Sequence, residues 1–235
     1  MEYHQFCPIA KASEILGEKW TILIIRELLM GSTRFSQLQR GLGTISPTIL
    51  TRRLAMLEER GLIVRKQIPG QRGYEYFPTG ACEELVPILT SVGNWGMRWA
   101  RGQLTLSDYD VQLLMLYLER SIDAEKLPGD ETVIHFRFSD LKDASNWWIV
   151  VTGGQTEVCT IDPGKNVDVY FSTTVKTMTD VWMEQITYRK AMSDDLLKVT
   201  GEKFLTRNIS GWLQNCVFSD LPVATDILRP PNSLL

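Results

Sequence analysis

Ile45-Ser46-Pro47-Thr48-Ile49-Leu50-Thr51-Arg52-Arg53-Leu54-Ala55-Met56-Leu57-Glu58-Glu59-Arg60-Gly61-Leu62 is the stretch whose reading decides the fold. Serine is a capping residue, and a proline at the first helical position gives up an N–H that has no helical partner, so Ser46-Pro47 predicts a helix start. Gly61 predicts its end near Arg60. Leu50, Leu54 and Leu57 recur at helical spacing and form a stripe for burial, which leaves Thr48, Thr51, Arg52 and Ala55 largely off it. Small hydroxyls and an arginine on an exposed helix face suit the major groove of DNA.

Working upstream, Arg34-Phe35 leads into a short helix from Ser36 to Gly41, and Gly41, Gly43 and Thr44 supply a turn before the helix at Ser46. Trp20 to Met30, apolar except mainly for Arg26 and Glu27, reads as a core helix closed by Gly31, preceded by an amphipathic stretch from Pro8 to Leu16. Downstream, Ile63 to Ile68 and Tyr74 to Phe77 flank Pro69-Gly70-Gln71-Arg72-Gly73 and predict a hairpin. Helix, turn, helix and hairpin in this order make a winged helix-turn-helix. Thr79 to about Arg101 returns to a helical pattern with Leu85, Val86, Leu89, Val92, Trp95 and Trp99 on one side. That apolar side is too wide for one domain to cover, and a homodimer is expected.

The 235 residues, 44% hydrophobic, suffice for two domains with real cores. Formal charge is -3 overall but unevenly placed: residues 1–103 carry 13 Lys/Arg against 9 Glu, and residues 104–235 carry 12 against 19 Asp/Glu. A basic reading domain joined to an acidic second domain shows this asymmetry, as do two ordinary domains by chance. No apolar run approaches the roughly 20 residues of a membrane span and no signal peptide opens the chain, so a cytoplasmic protein is expected. Cys7, Cys82, Cys159 and Cys216 form no CxxC pair, and His4 and His135 are isolated, so neither a metal site nor a disulfide framework is expected.

From Glu131 the period changes to two. Thr132–Phe138, Trp147–Val151, Glu157–Ile161 and Val167–Phe171 read as strands, with Leu196–Thr200 as a last one. Helices are expected from Asp110 to Ile122, from Thr173 through Trp182 and Met183, and from Glu202 to Leu213. The Arg229-Pro230-Pro231-Asn232 tail is expected to be irregular. The fold class is therefore α+β, with domains over 1–103 and 104–235.

Cys7-Pro8, Leu16-Gly17-Glu18-Lys19-Trp20, Arg34-Phe35-Ser36-Gln37-Leu38, Ile45-Ser46, Leu54 through Leu62 and Tyr74-Glu75-Tyr76 resemble the HxlR-type winged helix-turn-helix regulators over about residues 7–100. The resemblance implies a homodimeric transcriptional regulator whose first and last helices pair the protomers. Glu18 departs from it, where the family more often has a second glycine, as does Phe77-Pro78-Thr79-Gly80 at the entry to the last helix. Residues 104–235 resemble, through element order, Asn146-Trp147-Trp148-Ile149-Val150-Val151 and Leu197-Lys198-Val199-Thr200-Gly201, the sterol-carrier-protein-like domain. That resemblance implies an antiparallel sheet and covering helices around an apolar tunnel.

Ser46, Thr48, Thr51 and Arg52 are the candidate base or phosphate contacts, with Arg53 on the flank. Gln71 and Arg72 at the hairpin tip are candidates for a neighbouring minor groove or phosphate. Arg34 and Lys19 are phosphate partners or members of surface salt bridges. Cys7, ahead of Pro8 at a helix start, is a redox-sensing candidate or a small packing residue. Trp147, Trp148, Met178, Trp182, Met183, Phe204 and Trp212 line a ligand pocket or fill an ordinary core. No GxSxG, P-loop or GxGxxG stretch occurs, and Asp194-Asp195 has no telling partner, so no enzyme and no cofactor are expected. The expected function is a DNA-binding regulator answering to a hydrophobic small molecule or to chemistry at Cys7; the alternative is a lipid carrier with a dimerising front domain.

Overall fold

Pro8 opens α1 (Pro8–Leu16) with Cys7 as its N-cap. Trp20 then takes a left-handed backbone, φ 78°, and turns the chain into α2 (Thr21–Leu29), which buries Ile24, Ile25, Leu28 and the carboxylate of Glu27. The chain is described, in a computed structural model, over residues 2–219; the Arg229–Asn232 tail lies outside the described residues. It divides into two compact units, one ending at Gly93 and one beginning at Asn94.

In the first unit α3 (Phe35–Gly41) starts where Gln37 Oε1 accepts from the backbone N–H of Arg34 at 2.9 Å. A β-carbon at Gly41 would lie 2.0 Å from Glu27 Oε2, so only glycine allows the end of α3 to meet α2 this closely. Arg26 locks the junction, bonding Glu27 at 2.8 Å and the Gly41 carbonyl at 3.1 Å. Then comes α4 (Pro47–Glu59), capped as its sequence predicts: Ser46 Oγ accepts from Ile49 N at 3.3 Å. Leu50, Leu54 and Leu57 form its buried stripe and join Ile24, Ile25, Leu28, Leu38, Ile63 and Cys82 in one core. The wing is β1 (Ile63–Gln67) paired antiparallel to β2 (Tyr74–Pro78), with Ile63 opposite Pro78 and Gln67 opposite Tyr74.

The stretch after Thr79 is not one helix. It forms α5 (Gly80–Glu83), then α6 (Val86–Trp95), then a π-turn over Gly96–Ala100. Pro87 explains the break, because its ring excludes a preceding helical turn and it has no N–H to donate back. Leu85 and Leu89 pack on the first unit's core, yet no residue of α6 is fully buried.

In the second unit Asp110 caps α7 (Val111–Arg120), its Oδ1 accepting from Gln112 N at 2.8 Å and Leu113 N at 3.0 Å. Four strands follow: β3 (Glu131–Phe138), β4 (Asn146–Thr152), β5 (Gln155–Cys159) and β6 (Val169–Thr173). After α8 (Val175–Trp182) and α9 (Tyr188–Ser193) comes β7 (Lys198–Gly201). Two short helices, α10 (Lys203–Arg207) and α11 (Ile209–Trp212), stand where a single helix from Glu202 to Leu213 was expected; the chain breaks between them at Asn208. Strand β5 begins two residues early because Gly153 and Gly154, both at positive φ, turn β4 back within two residues, the tight hairpin such glycines favour.

The five strands are ordered β5-β4-β3-β6-β7. The expected antiparallel sheet holds with one correction: β3 and β6 run parallel, Ile134 opposite Val169, while the other pairings are antiparallel. Ile134, Phe136 and Phe138 of β3, Trp147, Ile149 and Val151 of β4 and Val169 and Phe171 of β6 point to one face. There they pack with Leu114, Met115, Val175, Met178, Leu205, Ile209 and Trp212 from the helices. Among the described residues no helix is long and apolar enough to cross a membrane.

Candidate nucleic-acid interface

Burial of Leu50, Leu54 and Leu57 turns the opposite face of α4 to solvent. Thr48, Thr51 and Arg52 are exposed on it, beside the capping Ser46. Arg52 has no ion-pair partner among the described residues. Ile49, 41% exposed, shares this end of the helix and leaves an apolar side chain on the same surface. An isoleucine directly beside Leu50 of the buried stripe reads as core from sequence.

Arg53, the next residue, is turned elsewhere. Its guanidinium bonds Glu18 Oε2 at 2.5 Å and the Lys19 carbonyl at 3.1 Å, and only 14% of its side chain is exposed. The Arg53 hydrogen bond and charge hold the Glu18 carboxyl below its ordinary range. Arg53 therefore ties α4 to the turn before α2, and its expected place on the DNA flank is corrected to that of a brace. Glu18 has its explanation in the same bond. Lys19 is exposed, its ammonium 5.5 Å from the centre of the Trp20 ring. Arg34, half-exposed, lies 3.4 Å from Glu75 and so pins the start of α3 to the wing.

Gln71 and Arg72 are exposed at the wing tip, which closes through Gln71 N to the Ile68 carbonyl and Ile68 N to the Gly73 carbonyl, both 3.2 Å. Two further cations stand on the wing: Arg65, over the Tyr74 ring at 4.7 Å and 3.2 Å from Glu58, and Lys66, 5.0 Å from the Phe77 ring centre. Their side chains are carried by β1, and the adjacent Arg-Lys pair in that strand was the signal that could have found them. Cys7 is a partly exposed free thiol at the start of α1. Cys82 is buried, and burial pushes its thiol pKa up.

The pocket candidates of the second unit do not converge. Trp147, Met178 and Trp212 are in the core. Trp182 packs at its margin, stacked 5.0 Å from Tyr117, with Nε1 donating to Ser121 Oγ at 2.9 Å. Met183 is the partly exposed C-cap of α8. Trp148 is on the opposite face of the sheet, stacked on His135 at 4.8 Å, as neighbouring strand residues must be. Phe204 is 56% exposed. The expectation of one aromatic lining is thus corrected for Trp148 and Phe204.

Residues 15–103 match the HxlR-like helix-turn-helix family, and residues 112–214 match the SCP-2 sterol transfer family. The HTH-type transcriptional regulator YvaP of Bacillus subtilis (strain 168) is 37% identical over 101 residues, 42% of this chain and 94% of that protein. MT3179 of Mycobacterium tuberculosis (strain CDC 1551 / Oshkosh), also an HTH-type transcriptional regulator, is 40% identical over 89 residues, 37% of this chain; the match spans 56% of its length. The reduced form of the transcriptional regulator YodB from B. subtilis superposes with a TM-score of 0.35 and 26% identity, over 39% of this chain and 92% of that one.

Proposed function

Because this chain belongs to the HxlR-like helix-turn-helix family and continues into an SCP-2-like unit, we propose that it is a homodimeric DNA-binding transcriptional regulator responsive to a hydrophobic small molecule. The observation that carries the reading is the free face of α4. Its hydroxyls and the unpaired Arg52 stand clear of a helix whose other side is locked into the core. Ser46, Thr48, Thr51 and Arg52 enter the major groove; Arg72 and Gln71 reach the flanking backbone; Arg34 and Lys19 take phosphates from the sides.

Pairing of two copies is supported by apolar surface that one copy leaves open. On α6, Val86, Ile88, Val92 and Trp95 are 47%, 50%, 49% and 62% exposed, and near α1 Phe6 and Ile9 are 101% and 77% exposed. Large apolar side chains left this exposed favour an interface with a second copy. A dimer sets its recognition helices about 34–36 Å apart, so a small rotation at α6 misaligns one half-site. Uptake of an apolar molecule by the second unit acts through different affinities for the two arrangements. Cys7, at the head of α1, is a further point where oxidation acts on the same seam.

The test is binding of the full chain to mixed genomic DNA fragments as a function of salt. A regulator loses affinity with a slope of about -0.9 for each phosphate it neutralises. A carrier whose front unit only assembles copies shows almost no slope, and that result rejects the reading.

A further inference from the structure

Three polar tips in the core of the second unit are bonded to backbone carbonyls. Trp147 Nε1 donates to the Ala144 carbonyl at 2.8 Å, Trp212 Nε1 to the Leu205 carbonyl at 3.0 Å, and Thr173 Oγ1 to the Leu196 carbonyl at 2.8 Å. Tyr188 is different. It packs against the apolar core from the first residue of α9 as a partly buried side chain, yet its hydroxyl is enclosed and has no hydrogen-bond partner among the described residues. Tyrosines normally do the reverse, burying the ring and keeping the hydroxyl wet or bonded.

The arrangement is held firmly. Thr187 Oγ1 caps α9 by accepting from Lys190 N at 3.2 Å, and the Ala191 carbonyl accepts from Leu196 N at 2.9 Å and Leu197 N at 3.1 Å. Ala191, one turn on, is fully buried on the same inward side. Asp180 and Asn215 also carry an unpartnered oxygen, but each has a second polar side-chain atom, that of Asp180 paired with Lys176, whereas the hydroxyl is the only polar side-chain atom Tyr188 has. Burial alone raises the Tyr188 pKa, with no charged neighbour contributing. Phenylalanine offers the same ring without a stranded donor, so packing does not account for the hydroxyl.

Resting on the reading that this unit takes up a hydrophobic small molecule, we propose that the Tyr188 hydroxyl donates a hydrogen bond to the single oxygen of an elongated apolar ligand, an alcohol in the simplest case. The apolar body of such a ligand packs with the sheet-and-helix core, and its oxygen supplies the bond that the Tyr188 hydroxyl lacks. Recognition then rejects a pure hydrocarbon by leaving the donor unpaired.

The experiment compares 1-dodecanol with dodecane on the full-length protein and its Tyr188→Phe variant, read by tryptophan emission and by the melting temperature of the second unit. The expected result is tighter binding of dodecanol by wild type and a roughly tenfold loss of that affinity in the variant, as one lost buried bond implies. Dodecane affinity stays the same in both proteins, and the unliganded variant melts no lower than wild type. Equal dodecanol affinity in wild type and variant overturns the anchor while leaving uptake intact, and equal loss of both compounds assigns Tyr188 to packing. Failure of wild type to bind either compound overturns the uptake reading, and the anchor with it.

Discussion

Helix α4 and helix α9 differ in where one polar group is placed. On α4 the leucines go inward and Thr48, Thr51 and Arg52 stay in water. On α9 the hydroxyl of Tyr188 goes inward, into an apolar core. A surface that reads DNA keeps its donors solvated until a charged, wet partner arrives, so each contributes little to stability and much to binding. A site for an apolar molecule works by desolvation, and there one unpaired donor is costly unless the ligand completes it. The two units therefore answer differently to substitution.

The largest contrast is in stability. Trp212 is fully buried, set edge-on to Phe171 at 6.2 Å, and its truncation to alanine is expected to cost the second unit about 3–5 kcal/mol. Calorimetry of the full chain should show one transition lowered and the other, belonging to the core around Leu50 and Leu54, in place. A single transition that moves as a whole breaks the division into separately built units.

The neighbours Arg52 and Arg53 sharpen it next. Arg52→Ala should weaken specific DNA binding by about 1–3 kcal/mol and relax the preference at one base pair of each half-site, with melting unchanged. Arg53→Ala should do the opposite, lowering the front unit's stability by about 1.5–3 kcal/mol through the lost charged bond to the Lys19 carbonyl. Affinity of the folded Arg53 variant should stay near that of wild type. Reversed phenotypes would put Arg53 in the groove and Arg52 on the flank. A smaller effect belongs to the wing: Arg72→Ala should weaken binding evenly on all sequences and reduce the salt slope by about 1.

Such pairs show what was legible in advance. The Ser46-Pro47 start, the leucine stripe of α4 and the Pro-Gly wing were readable because each is a local rule acting over a few residues. The partner of Arg53 was not, because Glu18 is 35 positions away and only the folded turn before α2 brings it within reach. Period two identified β3 and β6 as strands but says nothing of which neighbours which, so their parallel pairing was hidden. The two faces of Trp147 and Trp148 were available from alternation alone, and so was the break ahead of α6 from Pro87. Tyr188 could not have been found: its hydroxyl is notable only for lacking a partner, a property of the assembled core.

The smallest effect is one of pH and tests whether the second unit alone responds to mild acid. His135 is stacked between Trp148 at 4.8 Å and the edge of Tyr170 at 5.5 Å, with Nε2 3.0 Å from Asn146 Oδ1. Burial pulls its pKa below the ordinary 6.5, aided by Arg137; the bond to Asn146 and the charge of Asp162 oppose this without reversing it. Above about pH 6.5 the ring is neutral in folded and unfolded chains alike, and it adds no pH dependence. As pH falls through that value the unfolded chain takes the proton first, so stability is lost from there down to the lower folded pKa and then levels. The second unit's melting temperature should therefore drop between pH 7.5 and 5.5. In His135→Gln the melting temperature is lower throughout, because the stacking is lost, but its slope with pH should be flatter. The core of the front unit holds no histidine among the described residues, so its transition should hold steady over the same range. A wild-type slope matched by the variant would move the acid response away from His135 and onto groups shared by both units.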